Sequence, residues 1–139
     1  MNVIVDASVA VKWFFEEDRA LAAHAFLDGP DPLHAPETLP LEVISVLCRR
    51  IKRKEITLAQ AISARADLKG APVLLYPILD LVDTAFSLAV ETRCRPYDCL
   101  YLALAVILPG RMVTDDERLC RSLAGGPFAN HILWIGDVR

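Results

Sequence analysis

Val3, Ile4 and Val5 are apolar on successive positions. That is the pattern of a strand in a parallel sheet with helices on both faces, and it stops at Asp6. From Ser8 the stretch "VAVKWFF" reads as helical, and "DRALAAHAFLD" as a second helix closed by Gly29-Pro30. "PLHAP" is long enough only for a short strand. Between Glu37 and Glu55, Val43, Ile44, Leu47 and Ile51 recur at helical spacing, with Pro40 in the first turn, where its missing N–H is harmless. A further helix is expected from Thr57 to Lys69, ending at Gly70, and then "PVLLYP" as a third strand between prolines.

The segments "LDLVDTAFSLAVET" and "YDCLYLALAVIL" predict two more helices. The second is apolar all round beyond its start and should be deeply buried. Pro109-Gly110 stops it, "RMVT" supplies a fourth strand, and "DDERLCRSLA" a helix. A Gly125-Gly126-Pro127 turn then leads to a last strand, "HILWIG". This alternation predicts an α/β fold with a mostly parallel sheet and right-handed crossovers.

At 139 residues the chain has the length of one ordinary domain, expected to span 1–139, with no internal repeat or linker. With 54% hydrophobic and 24% charged residues, no segment has the composition of a disordered tract. A net charge of −3 argues against a uniformly positive coat but leaves room for a local basic patch. Cys48, Cys94, Cys99 and Cys120 form no C-x-x-C pair and are expected to be buried free thiols. Asp6 and Lys12 interrupt the N-terminal apolar run, unlike a secretory leader. The longest apolar run, Cys99 to Pro109, is about half the ~20 residues of a membrane span. A soluble, cytoplasmic protein with no membrane partner is expected.

Four acids stand in unusual places. Asp6 ends a strand that should be central, and in an open parallel sheet such a residue points into the crevice at the carboxyl edge. An aspartate there also serves as a turn former or helix cap. Asp116 follows "RMVT", beside Thr114 and Asp115, although acids at that helix start also complement its dipole. Asp98 heads the wholly apolar helix, so its carboxylate faces the core or a crevice. Glu42 lies one residue off the apolar stripe of its own helix. Two like charges ~4 Å apart repel by ~4 kcal/mol at an effective dielectric of ~20, so three or four converging carboxylates need protons or a cation. Oxygen ligands of this type suit Mg²⁺ or Mn²⁺, an ion able to activate water and stabilise a phosphoryl displacement.

"VIVDASVAVKW", "APETLPLEVISVL", "YDCLYLALA" and "VTDDERL" resemble, in order and spacing, the four blocks of the PIN-domain nucleases, in particular the VapC-type toxins. The resemblance spans residues 3 to 119. It implies a three-layer α/β/α sandwich around a mostly parallel central sheet of four to five strands, with the acids grouped about one or two Mg²⁺ or Mn²⁺ ions. Carried over block by block, those acids are Asp6, Glu42, Asp98 and Asp116. Thr114 is the polar companion in the fourth block, and Ser8 matches the hydroxyl two residues after the first acid. Asp115 stands where a small residue is usual, which makes it a further candidate ligand. The implied activity is hydrolysis of single-stranded RNA by a metal-activated water. The implied partners are a second copy of the chain and an antitoxin that inserts a segment, with an arginine, into the acidic crevice.

"RRIKRK", residues 49 to 54, concentrates cations on an acidic chain. Residues 42, 46, 49 and 53 share one line of a helix, so Arg49 lies ~10 Å and Arg53 ~16 Å along the axis from Glu42. That reach suits phosphates of a bound strand, while cations at a helix end also complement its dipole. Lys12 and Arg95 are further RNA-binding candidates. Trp13, Phe14 and Phe15 are expected to pack rather than stack bases, and His24, His34 and His131 to be structural or surface residues. Two rival readings remain: a non-catalytic RNA- or protein-binding module of the same fold, and a phosphoacceptor receiver domain.

Overall fold

The computed structural model describes residues 1–138. Strands β1 (Asn2–Val5), β2 (Leu33–Pro36), β3 (Val73–Tyr76), β4 (Gly110–Thr114) and β5 (Ile132–Trp134) form one sheet in the order β3-β2-β1-β4-β5. Every pairing is parallel. Helices α1 (Ala7–Ala10), α2 (Ala20–Leu27), α3 (Leu39–Lys52), α4 (Leu58–Lys69), α5 (Val82–Thr92), α6 (Pro96–Ile107) and α7 (Glu117–Leu123) connect the strands. Consecutive strand residues face opposite sides, and Val3, Ile4 and Val5 are all fully buried, so both faces of β1 are covered. The result is the three-layer α/β/α arrangement. A receiver domain has its strands in the order 2-1-3-4-5; a β1 seated between β2 and β4 excludes that rival.

From β1 the chain moves outward to β2 and β3 on one side, then returns across the sheet to β4 and β5 on the other. The direction of winding therefore reverses between β1 and β4, where neighbouring connections diverge and leave a crevice at the carboxyl edge. Val5 is in register with Val113, and the Asp6 amide donates to the Val113 carbonyl at 3.1 Å. The residues that follow the two strands are thus brought side by side.

α6 runs over β4, β1 and β2 and buries every residue from Cys99 to Ala105, as its unbroken apolar sequence requires. α4 starts at a capping box in which Thr57 and Gln60 satisfy each other's backbone amides. α3 carries Pro40 in its first turn and ends with Arg49, Arg50 and Lys52 in its last.

Several elements depart from the sequence pattern. "VAVKWFF" is not one helix: α1 gives way to a 3₁₀ turn at Val11–Trp13, and the helix stops before Phe14. Trp13 is the cause, since its buried indole N–H donates to the Ala23 carbonyl at 2.9 Å and draws the chain back against α2. Arg19, at φ 64°, completes the reversal, so α2 begins at Ala20. The segment before α5 is a separate 3₁₀ turn, Ile78–Asp80. "HILWIG" is extended only at Ile132–Trp134, after which Gly136 lets the chain fold against Trp134; a Cβ there would sit 2.4 Å from the indole ring. Of the cysteines only Cys99 is buried; Cys48 is exposed and Cys94 and Cys120 are intermediate, which corrects the expectation of four buried thiols. Among the described residues no helix is long and apolar enough to cross a membrane.

Candidate active site

Asp6 follows β1 directly and is buried. Its Oδ1 accepts from the Ala7 amide at 2.9 Å, which caps α1, and its Oδ2 accepts from Thr114 Oγ1 at 2.7 Å and Ser8 Oγ at 2.8 Å. Each hydroxyl also accepts a backbone N–H from the end of β4: Asp115 N reaches Ser8 Oγ at 3.0 Å and Asp116 N reaches Thr114 Oγ1 at 3.1 Å. Both hydroxyl protons are thereby committed to Asp6, and the two amides hold the following acids in register with it. Ser8 and Thr114 so join the first and fourth sequence blocks. Burial pushes the Asp6 carboxyl above its ordinary pKa against the pull of the Thr114 and Ser8 bonds, and the charge of Asp98 adds to that push.

Glu42, in the first turn of α3, is half-buried and reaches the same crevice. Its Oε2 accepts the Tyr101 hydroxyl at 3.0 Å, while Oε1 is buried with no partner. Burial raises its pKa as well; the Tyr101 bond opposes the shift, and the charges of Asp6 and Asp98 reinforce it. Asp98, in the first turn of α6, has a mostly buried side chain whose Oδ2 accepts from Arg95 Nε at 3.1 Å. Asp116 is the N-cap of α7, with Oδ1 accepting from Leu119 N at 3.0 Å. Asp98 bonds the Arg95 guanidinium, and the charges of Asp116 and Asp6 are also felt there, so the three acids lie within electrostatic range of one cation. The structure therefore brings Asp6, Glu42, Asp98 and Asp116 into one neighbourhood at the switch point.

Asp115 goes elsewhere. Its carboxylate pairs with Lys12 Nζ at 3.1 Å and Arg19 Nε at 2.6 Å. Burial alone would raise its pKa, but Arg19 and Lys12 outweigh burial and hold it below the usual carboxylate value. Asp115 is thus paired with two cations, which counts against its candidacy as a ligand, whereas Asp116 takes part in no ion pair among the described residues. The same pairing counts against Lys12 as an RNA-binding cation. Its Nζ is buried among Asp115, Glu17 at 3.3 Å and the Asp18 carbonyl at 2.9 Å, so its three protons are used and none remains for a phosphate. Arg50 extends the network by pairing with Glu17 at 2.8 Å.

Arg49 and Arg53 are exposed and take part in no ion pair among the described residues. Arg95 is also exposed, with Asp98 as its one ion-pair partner among the described residues. Trp13 belongs to the core, with Phe14 and Phe15 packed partly against it. His34 is buried and bonded to Tyr76 and Asn2, and His131 to the Gly110 carbonyl, so neither serves the acids. The residue that sequence reasoning passed over is Tyr101. Its signal was present as the one hydroxyl inside the apolar run 99–108, one turn after Asp98.

Among the described residues no three carboxylate, imidazole or thiol groups already stand at ligating spacing. The donor set nonetheless fits a hard divalent cation. It is all oxygen, two of its carboxyls, Asp6 and Glu42, are disfavoured as anions by burial and by neighbouring acids, and one buried oxygen, Glu42 Oε1, lacks a well-placed donor. A doubly positive ion relieves all three conditions at once.

Comparison with known proteins agrees with this geometry. Residues 3–122 match the PIN domain. A relative called ribonuclease VapC3, from Mycobacterium tuberculosis, is 33% identical over 122 residues, covering 87% of each chain. Two solved structures share the fold. PAE2754 from Pyrobaculum aerophilum superposes with a TM-score of 0.69 at 23% identity, over 98% of this chain and 85% of that one. A toxin–antitoxin complex from Klebsiella pneumoniae superposes with a TM-score of 0.65 at 17% identity, over 94% and 95%. With the acids of all four sequence blocks gathered at the switch point of the sheet, the chain belongs to the PIN-domain family, in its VapC branch.

Proposed function

We propose that this protein, acting in the cytoplasm as one domain over residues 1–139, is a metal-dependent endoribonuclease that hydrolyses phosphodiester bonds in single-stranded RNA. We read it as the toxin of a toxin–antitoxin pair. The observation that carries the reading is the buried Asp6 carboxylate at the switch point, where the charge of Asp98 raises the cost of its own charge and Asp6 and Asp98 together raise that of Glu42. Kinship with chains called ribonucleases supports the reaction class.

Asp6, Glu42, Asp98 and Asp116 would hold one or two Mg²⁺ or Mn²⁺ ions. Such an ion lowers the pKa of water and offsets charge developing on the phosphate. The chain's own part is orientation. Ser8 and Thr114 fix Asp6 so that one lone pair of Oδ1 stays open, and capping by Oδ1 leaves Asp116 Oδ2 open. Arg49 and Arg53, exposed along α3, and Arg95, able to exchange Asp98 for a phosphate, supply the positive charge that RNA requires. Val82, Phe86 and Val90 form an exposed apolar stripe on α5, which supports a protein partner, whether a second copy or the antitoxin.

The test is incubation of purified protein with mixed RNA and Mg²⁺ or Mn²⁺, beside Asp6→Asn and Asp98→Asn. Cleavage that needs the metal and vanishes in both variants is expected. Equal cleavage by all three samples, or RNA retention without cleavage by the wild type, would overturn the nuclease reading.

A further inference from the structure

The four acids are secured in two pairs, by different means. Ser8 and Thr114 join the first block to the fourth around Asp6. The second and third blocks are joined by Tyr101. It is carried by α6 one turn beyond Asp98, is 1% exposed, and donates its hydroxyl to Glu42 on α3. The Thr38 side chain also favours the Glu42 charge, but among the described residues Tyr101 is the one group that bonds it at good distance and angle. Glu42 Oε1 is buried without a partner, and Thr38 Oγ1, one turn earlier on α3, is likewise unpartnered. Buried polar atoms almost always have partners, and exceptions in native proteins commonly mark the place of a water or an ion.

We infer that Tyr101 is a positioning residue of the nuclease site: its hydroxyl holds Glu42 Oε2 and so leaves Oε1 as the oxygen presented to a divalent cation or its hydration water. The inference rests on the metal-dependent reading above. A carboxylate on the first turn of a helix has freedom about its side-chain torsions, and a single donor from a neighbouring helix removes it. Because Tyr101 packs among core residues of α6, Tyr101→Phe deletes the donor and keeps the ring.

The experiment is a double-mutant cycle of Tyr101→Phe and Glu42→Ala, read by calorimetric titration with Mn²⁺ alone and by cleavage kinetics on RNA. Tyr101→Phe is expected to weaken Mn²⁺ binding by about 10-fold, the scale of lost hydrogen bonds to metal ligands. It should lower kcat while leaving KM for RNA within about twofold. In the Glu42→Ala background it should change neither quantity, because the residue through which it acts is gone. Additive losses, or Mn²⁺ binding unchanged in Tyr101→Phe, would overturn the inference. A wild type that binds Mn²⁺ but leaves RNA intact would sink the ribonuclease reading, while the Mn²⁺ cycle still decides the role of Tyr101. A wild type that binds no Mn²⁺ would refute both.

Discussion

Replacing Lys12 by Met separates two roles for a residue that the sequence alone places among the RNA-binding cations. The thioether keeps the volume of the lysine stem and removes only the charge. In the structure that charge is 6% exposed, lies 3.1 Å from Asp115 and 3.3 Å from Glu17, and donates to the Asp18 carbonyl at 2.9 Å. Removing one member of a buried ion pair costs about 3–5 kcal/mol, because the partner stays desolvated. Here each carboxylate keeps a second cation, Arg19 for Asp115 and Arg50 for Glu17, so a loss of about 2–3 kcal/mol is expected. With a urea slope of about 2 kcal/mol/M for a chain of this size, the unfolding midpoint should fall by about 1 M with the slope unchanged. A phosphate contact would behave differently. Stability would stay within about 0.5 kcal/mol, as for surface substitutions, and the salt dependence of RNA binding would lose about one unit of slope. That second pattern would refute the placement of Lys12 in a structural network.

Thr114→Val removes a fully buried hydroxyl that donates to Asp6 and accepts from Asp116 N; a destabilisation of about 1–3 kcal/mol by urea denaturation is expected, with loss of cleavage. Arg49→Ala and Arg53→Ala should each lower the salt slope of RNA binding by about one and move the thermal midpoint little, and unchanged slopes in both would remove α3 from the RNA path. The folded-state pKa values of Asp6 and Glu42 are raised by burial, so just above the ordinary carboxylate range the folded chain holds protons that the unfolded chain has released. In EDTA their contribution to stability is greatest below that range and is lost as pH rises through the raised values, a decline that Mn²⁺ should abolish and Asp6→Asn reduce. Asp115 works in the opposite sense, its depressed pKa adding stability that is lost only as pH falls through it. Thermal midpoints that climb with pH through that window, equally in wild type and Asp6→Asn, would contradict the assignment for Asp6.

Much of the fold is legible because its signals are local. A run such as Val3-Ile4-Val5 announces a strand covered on both faces, the unbroken apolar α6 announces burial, and Thr57 with Gln60 announces a helix start. Helix limits set by distant contacts are not legible. The 3₁₀ turn that ends at Trp13 depends on a carbonyl in α2, and the early end of β5 depends on an indole folded onto Gly136.

The same division runs through the site. The sequence by itself determined that four acids, each at a strand end or in the first turn of a helix, stand in the order and spacing of one family, since residue type and local pattern are written in the chain. Only the tertiary structure decided what each charge faces: that Asp115 and Lys12 neutralise each other beside the crevice, that Asp116 remains in it, and that Tyr101 holds Glu42. The physical reason is that a carboxylate's role depends on which donors, cations and apolar atoms surround it, and those neighbours come from segments as far apart as Ser8 and Thr114 or Glu42 and Tyr101.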